Sequence, residues 1–234
     1  MKQYASAKVF SGHTHYKRYN GNVNSTGIAE HVHAAVCGQW WWSNIEGDGC
    51  PNGYTVYKFK GSTIDDEYFV GMNDNMNTRD YQMRVYHGNL KTGGGYAYFQ
   101  WPHSSNKLLI NVFNGDSRWT VKVYENGVLG GNASLMSYSR KTFDSVTKGE
   151  TYSIPSNSNQ DWWAIGYHIG VRGRGVNNTS YYTSMFHMYT YTLKDENASI
   201  KVVATDGYGN TYECTDVVSQ DCWYPDYVKG VNAL

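Results

Sequence analysis

The chain has 234 residues, of which 20 are basic and 20 acidic, so its formal net charge is zero at neutral pH. The absence of a long basic run argues against a protein that binds nucleic acid or an anionic membrane. No apolar stretch approaches the ~20 residues that a membrane span needs. Aromatic residues make up 16% and charged residues 17% of the chain. This composition favours strands joined by tight turns, and we predict a mainly β protein.

The first hundred residues contain short apolar runs that end at glycine-containing turns. Because alternating or short apolar runs bounded by glycine are typical of strands, we predict four of them here. They are residues 9–11, 34–38, 54–60 and 81–86. The three consecutive glycines at 93–95 follow, and we interpret this flexible stretch as a junction between two parts of the chain.

The second half of the chain has a plainer all-β pattern. Apolar residues alternate with polar ones from Trp119 to Tyr124, and Asn126-Gly127 then gives a strong hairpin signal. The other predicted strands are residues 108–113, 185–193, 200–204 and 211–214. Strands at this spacing, joined by Gly and Asn turns, favour a β-sandwich.

The four cysteines, at 37, 50, 214 and 222, leave two interpretations open. Cys37 with Cys50 and Cys214 with Cys222 can each close a short loop as disulfides, which would suit an oxidising compartment. All four can equally be free buried thiols. Neither pair has the close spacing that a zinc site prefers. The first ten residues lack the apolar core of a signal peptide, so either the protein is cytosolic or a targeting signal lies upstream.

The motif that carries chemistry is Gly12-His13-Thr14-His15, directly after the first predicted strand. Two imidazoles at positions i and i+2 can point toward one site, and the flanking glycine lets the backbone turn sharply. Neutral imidazole is a common ligand for Zn, Fe and Mn. By itself the tetrapeptide is a weak signal, since two histidines in a polar loop are commoner than a metal site.

The sequence around and beyond this motif resembles the calcineurin-like metallophosphoesterases, in particular the C-terminal part of one bacterial branch. Residues 11–15 resemble the last sequence block of that family's catalytic domain. The further matching segments are residues 30–38, 48–54, 81–86, 114–119, 166–174 and 204–210. The resemblance implies that residues 1–72 hold the last strands of the family's α/β catalytic sandwich. Residues 73–234 would then form a β-sandwich accessory domain.

The resemblance also implies a function. Members of the family hydrolyse phosphate esters with two divalent metal ions, such as Mn, Fe or Zn, which activate a water and neutralise phosphoryl charge. By motif match His13 would bind one ion and His15 the other. No Asp-x-His and no Gly-Asn-His, which carry other ligands in the family, occurs in this sequence. We therefore expect no firmly bound metal and negligible activity from this polypeptide without the N-terminal catalytic half.

Other residues have a functional and a structural interpretation. His31 and His33 can act as catalytic acid–base groups, although such residues more often hydrogen-bond a neighbouring loop. Arg172 and Arg174 can clamp a phosphate, although an exposed hairpin with two solvated arginines is commoner. The three tryptophans at 40–42 can stack on a ligand, but packing at an interface is the more frequent role.

Three functions follow from these observations. The first is the C-terminal portion of a phosphoesterase that acts on a phosphate-ester substrate. The second is a carbohydrate- or surface-binding β-sandwich without catalysis, favoured by the abundance of Tyr, Trp and Asn. The third is a structural module that forms a homodimer. By family resemblance we expect a secreted bacterial protein in the periplasm or outside the cell.

Overall fold

Strands form nearly all of the regular secondary structure, which confirms the mainly β prediction. The computed structural model describes residues 7–38, 43, 45–72, 76–89, 104–136, 143–144, 149–150, 161, 163–164, 168 and 185–218. Among these residues, no helix has the length and the apolar character needed to cross a membrane. Several residues singled out above lie outside the described residues, namely Trp40, Trp41, Trp42, Arg172, Arg174, Cys222 and the glycines at 93–95.

The N-terminal segment forms a small mixed sheet. Strand β1 (Lys8–Ser11) pairs in parallel with β3 (Ala29–Val32), and β2 (Arg18–Asn20) pairs antiparallel with the other edge of β3. The strand predicted at 34–38 is wrong, because these residues form a loop that ends in a turn. Gly38 adopts a left-handed φ of 59°, and its N–H donates to the carbonyl of Ala35 at 3.2 Å, which closes the turn.

A long hairpin follows, made of β4 (Gly53–Lys60) and β5 (Thr63–Gly71). It matches the strand and turn predicted at 54–62. The reversal uses Gly61 at a φ of 61°, and a register shift between Lys58 and Phe59 marks a bulge near the tip. The outer end of this hairpin is exposed, with the Phe59 side chain 54% accessible.

The largest element is one sheet of eight strands. Its strands are β6 (Met83–His87), β7 (Lys107–Val112), β8 (Thr120–Glu125), β9 (Val128–Leu135), β12 (Met188–Thr192), β13 (Ile200–Thr205), β14 (Thr211–Cys214) and β15 (Val217–Val218). They lie in the order β14-β13-β8-β9-β12-β7-β6-β15. Two further short strands, β10 (Phe143–Asp144) and β11 (Gly149–Glu150), pair antiparallel with each other.

The eight-stranded sheet curls so that its two halves enclose one core. Strand β9 belongs to both halves, because it pairs with β8 along its first part and with β12 at its end. Alternate residues of β8 and β13 face residues of β6 and β7 across this core. The buried side chains include Val85, Leu108, Ile110, Val112, Val121, Val123, Val202 and Ala204. The predicted β-sandwich thus exists as two halves of one continuous sheet.

Strand β7 is buried on both faces, because the N-terminal segment covers its outer face. Leu108, Ile110 and Val112 point into the core, whereas Asn111 points outward yet is fully buried. The outer face of Asn111 is covered by the turn at residues 46–50, since the Asn111 Nδ2 donates to the carbonyl of Asp48 at 2.9 Å. The N-terminal segment therefore packs directly on the sheet.

Candidate functional site

The Gly-His-Thr-His motif lies in a loop at the carboxyl end of β1, as the sequence predicts. His13 and His15 both adopt left-handed backbone conformations, with φ of 75° and 56°. Such conformations are uncommon in residues other than glycine, although histidine adopts them more often than most, and they concentrate at functional sites. Neighbouring strands hold the base of the loop, since Ser11 Oγ donates to Glu30 Oε1 at 2.9 Å and the His33 N–H donates to the Ser11 carbonyl at 2.9 Å.

The two motif histidines differ in how they are held. His15 is half-buried, and its Nδ1 lies 3.0 Å from the carbonyl oxygen of Gly38. Because a carbonyl can only accept, Nδ1 carries the proton and Nε2 carries the lone pair that a metal ligand needs. His13 is exposed to solvent. The His15 tautomer is therefore compatible with metal binding through Nε2, and the metal-binding roles of His13 and His15 stay predictions.

A buried carboxyl group lies behind His15. The Oε1 of Glu46 accepts the Ala35 N–H at 2.9 Å, and its Oε2 lies 3.8 Å from the His15 Nδ1. That Oε2 is buried without a hydrogen-bond partner. Burial, with the nearby charge of Asp48 as a second cause, raises the pKa of Glu46 to about 9. At that pKa Glu46 is protonated at neutral pH.

Both ring nitrogens of His33 are hydrogen-bonded to other parts of the protein. Its Nδ1 lies 2.9 Å from the Ser11 carbonyl and so donates to it, while Nε2 lies 2.8 Å from the Tyr57 hydroxyl and accepts from it. Burial lowers the pKa of His33. In this arrangement His33 joins β1 to the hairpin beneath the Gly-His-Thr-His loop. Its acid–base role stays a prediction.

His31 lies one layer further from the loop, among aromatic rings. It stacks on Phe10 and meets Tyr19 and Tyr57 edge to face. Burial, followed by the charge of Arg118, lowers the pKa of His31 to about 4, so the ring is neutral at physiological pH. The structure places His31 beside a polar cavity of about 20 Å³, which is large enough for about one water.

Charged side chains meet around that cavity. Arg118 binds Asp116 through both carboxylate oxygens and donates from Nη2 to Glu67 Oε1 at 3.0 Å. Glu67 also accepts from the Tyr208 hydroxyl at 3.2 Å. Lys17 lines the same cavity and donates from Nζ to the hydroxyl of Thr55. Burial lowers the pKa of Lys17. These contacts tie the hairpin to the sheet.

A second group of potential metal ligands is formed by Asp48, Cys50 and His187. The His187 Nε2 lies 3.1 Å from Asp48 Oδ2 and 3.8 Å from the Cys50 sulfur. The sequence does not predict this group. Only the spacing between cysteines was considered there, and no sequence pattern indicates that His187, 137 residues beyond Cys50, lies beside that cysteine. All three side chains are fully buried.

Arg84 of the sheet binds the turn at 46–50, and Asp161 binds two other residues of the same sheet. Arg84 Nη1 donates to the Gly49 carbonyl at 2.7 Å, and Asn111 Nδ2 lies 2.9 Å from Asp161 Oδ2. The Tyr86 hydroxyl also donates to Asp161. The three described cysteines, Cys37, Cys50 and Cys214, have free thiols, so the Cys37–Cys50 disulfide is not formed.

A family model described as the C terminal of calcineurin-like phosphoesterase matches residues 30–212. No curated protein and no solved structure matches the chain.

Proposed function

Because the chain belongs to the calcineurin-like phosphoesterases through their C-terminal domain, we propose that it is the C-terminal portion of a metal-dependent phosphoesterase. In this proposal the chain supplies one metal-binding loop and an accessory β-sandwich. The observation that carries it is His15, whose Nδ1 is held by the Gly38 carbonyl so that Nε2 is the ligating nitrogen.

The proposed roles of the chain's own residues follow from their contacts. His15 would hold one divalent ion and His13 the other, while the Gly38 carbonyl keeps the His15 ring in the required tautomer. His33 positions the base of the loop through Ser11. When bound, two ions such as Mn, Fe or Zn supply an activated water and neutralise charge on a phosphate ester.

Two imidazoles hold a divalent ion weakly, because the family's centre also needs carboxylate and further histidine ligands. The sequence lacks the Asp-x-His and Gly-Asn-His blocks that carry those ligands. We therefore propose that the remaining ligands come from an N-terminal catalytic half and that the chain alone is inactive. Export to the periplasm or the exterior, and formation of a homodimer, stay predictions.

The test compares this chain with an extended polypeptide that adds the family's upstream ligand blocks. We expect the extended protein to hydrolyse p-nitrophenyl phosphate with Mn²⁺ or Zn²⁺, and this chain to stay at the blank. In the extended protein, His15→Ala should reduce the rate by more than the roughly 100-fold typical of losing an outer-shell partner. Thr14→Ala, an exposed position in the same loop, is the matched control and should keep activity. Turnover by this chain alone, or full activity of His15→Ala, would contradict the proposal.

A further inference from the structure

We propose that Asp48, Cys50 and His187 bind a structural zinc ion at a site separate from His13 and His15. The donor set is one sulfur, one imidazole nitrogen and one carboxylate oxygen, which together suit Zn²⁺ better than Mg²⁺ or Ca²⁺. The three ligand atoms lie within 4.8 Å of one another. The site does not depend on the proposed phosphoesterase function.

Two of the three distances between the ligand atoms agree with tetrahedral zinc. Usual Zn–S and Zn–N bond lengths at a tetrahedral angle place sulfur and nitrogen about 3.6 Å apart, and nitrogen and oxygen about 3.3 Å apart. The corresponding distances are 3.8 Å from Cys50 Sγ to His187 Nε2 and 3.1 Å from that nitrogen to Asp48 Oδ2. An ion therefore needs shifts of only about 0.2–0.3 Å in these separations.

A fourth donor is available beside the sulfur. The carbonyl oxygen of Phe113, at the end of β7, lies 3.8 Å from Cys50 Sγ. Asp48 is already oriented, because its Oδ1 accepts the Cys50 N–H at 3.0 Å and its Oδ2 accepts the Lys17 N–H at 2.7 Å. A carboxylate oxygen has two acceptor positions, so Oδ2 can keep the Lys17 bond while it binds an ion.

Charge balance favours an ion in this buried position. A zinc dication, one thiolate and one carboxylate sum to zero, and a neutral site is far less costly to bury than an isolated charge. The Cys50 sulfur lies 3.8 Å from both the Phe113 carbonyl oxygen and the His187 Nε2, so a zinc ion would replace long sulfur contacts with a direct bond.

Binding moves two protons and releases one of them. The S–H bond of Cys50 breaks, its proton leaves to solvent and the Zn–S bond forms. The proton on His187 Nε2, which points at Asp48 in the ion-free arrangement, relocates to Nδ1, and the Nε2 lone pair binds zinc. Asp48 binds as the carboxylate it already is. Zinc affinity should therefore increase with pH.

The ion would connect three distant parts of the fold. Asp48 and Cys50 belong to the turn that follows the metal-binding loop region, Phe113 follows β7, and His187 immediately precedes β12. The His187 carbonyl also accepts the Val112 N–H at 3.2 Å. Zinc at this point would lock the N-terminal segment onto the sheet, in the manner of a closed structural site.

The test is zinc titration of the metal-free full chain, followed by metal analysis after gel filtration. We expect one equivalent to remain bound and at least a 100-fold loss of affinity in Cys50→Ser. Cys37→Ser, which removes another thiol, and the double variant His13→Ala/His15→Ala should retain the zinc. Retention by the double variant separates this site from the proposed catalytic loop, so that either idea can fail without the other.

A second measurement on the unaltered chain guards against a misfolded Cys50 variant. Cobalt(II) substituted for zinc should show the thiolate-to-metal charge-transfer absorption of tetrahedral coordination. Both the wild-type chain and Cys37→Ser should show it. No zinc uptake by the wild-type chain, or cobalt bound without that absorption, would mean that Asp48, Cys50 and His187 are only a hydrogen-bonded core cluster.

Discussion

Glu46→Gln tests how the protein holds a buried carboxyl group behind the Gly-His-Thr-His loop. Glu46 has no solvent-accessible surface, and burial raises its pKa to about 9, with Asp48 as the second cause. Glutamine has nearly the same shape but does not titrate. The substitution therefore removes the proton equilibrium and changes little else in the packing.

The sign of the effect follows from proton linkage. In the unfolded chain this carboxyl titrates near its ordinary value of 4.5, whereas in the folded protein it keeps its proton up to about pH 9. Between these values the folded state binds one proton more, so the free energy of unfolding falls as the pH rises. The limiting slope is about 1.4 kcal/mol per pH unit, or about 3 kcal/mol over two units.

His31 acts in the opposite direction but cancels in the comparison. Because its pKa is lowered to about 4, the unfolded state binds more protons between that value and 6.5, and stability increases with pH there. Both proteins contain His31. The difference in unfolding free energy between Glu46→Gln and the wild type therefore isolates Glu46.

The assay is urea unfolding of both proteins across the neutral pH range. We expect the difference to move steadily in favour of Glu46→Gln as the pH rises. Glu213→Gln, which removes a carboxylate from an exposed strand position, is the matched control and should not produce this slope. A difference independent of pH would refute the reasoning. It would mean that Glu46 is ionised in the folded protein and paired with His15, 3.8 Å away.

Two further predictions concern the contacts that hold the N-terminal segment on the sheet. Gly49→Ala should destabilise the fold by about 2–4 kcal/mol, because a Cβ there would lie 2.1 Å from Asp161 Oδ2 at a φ of 78°. Gly127→Ala, with a similar φ but open space around it, should lose only about 1 kcal/mol in the same thermal or urea unfolding. Arg118→Met should cost about 2–4 kcal/mol, because it leaves the buried Glu67 without its cation. Adding Glu67→Gln should recover part of that loss, and no recovery would contradict the pairing.

The sequence predicts most strands of the sheet because their signals are local. The hairpin at Asn126-Gly127 forms as expected, with left-handed φ of 51° and 79° at the two positions. Val121 and Val123 are buried while Thr120 and Lys122 are exposed, which is the alternation read from the residues. Such patterns depend on neighbours one or two residues apart, so a single sequence contains them.

The predictions that fail or go untested depend on distant residues. The run at 34–38 has the composition of a strand, but Gly38 closes a turn there, and its carbonyl orients His15 instead. The group formed by Asp48, Cys50 and His187 arises only because the turn packs at the start of β12. No periodic pattern in the sequence predicts that these three side chains lie together, because only tertiary packing brings them into contact.

The turn at 46–50 connects the Gly-His-Thr-His loop to the sheet. Glu46 faces His15, the Asp48 carboxylate faces His187, and the Gly49 carbonyl is bound by Arg84 of β6. Glu46, Asp48 and Gly49 lie within four consecutive residues, so a backbone movement at one of them also moves the others. Replacing Arg84 or His187 should therefore shift the turn that carries Glu46, and through it the surroundings of His15. The position of the proposed metal ligand His15 then depends on the eight-stranded sheet behind it.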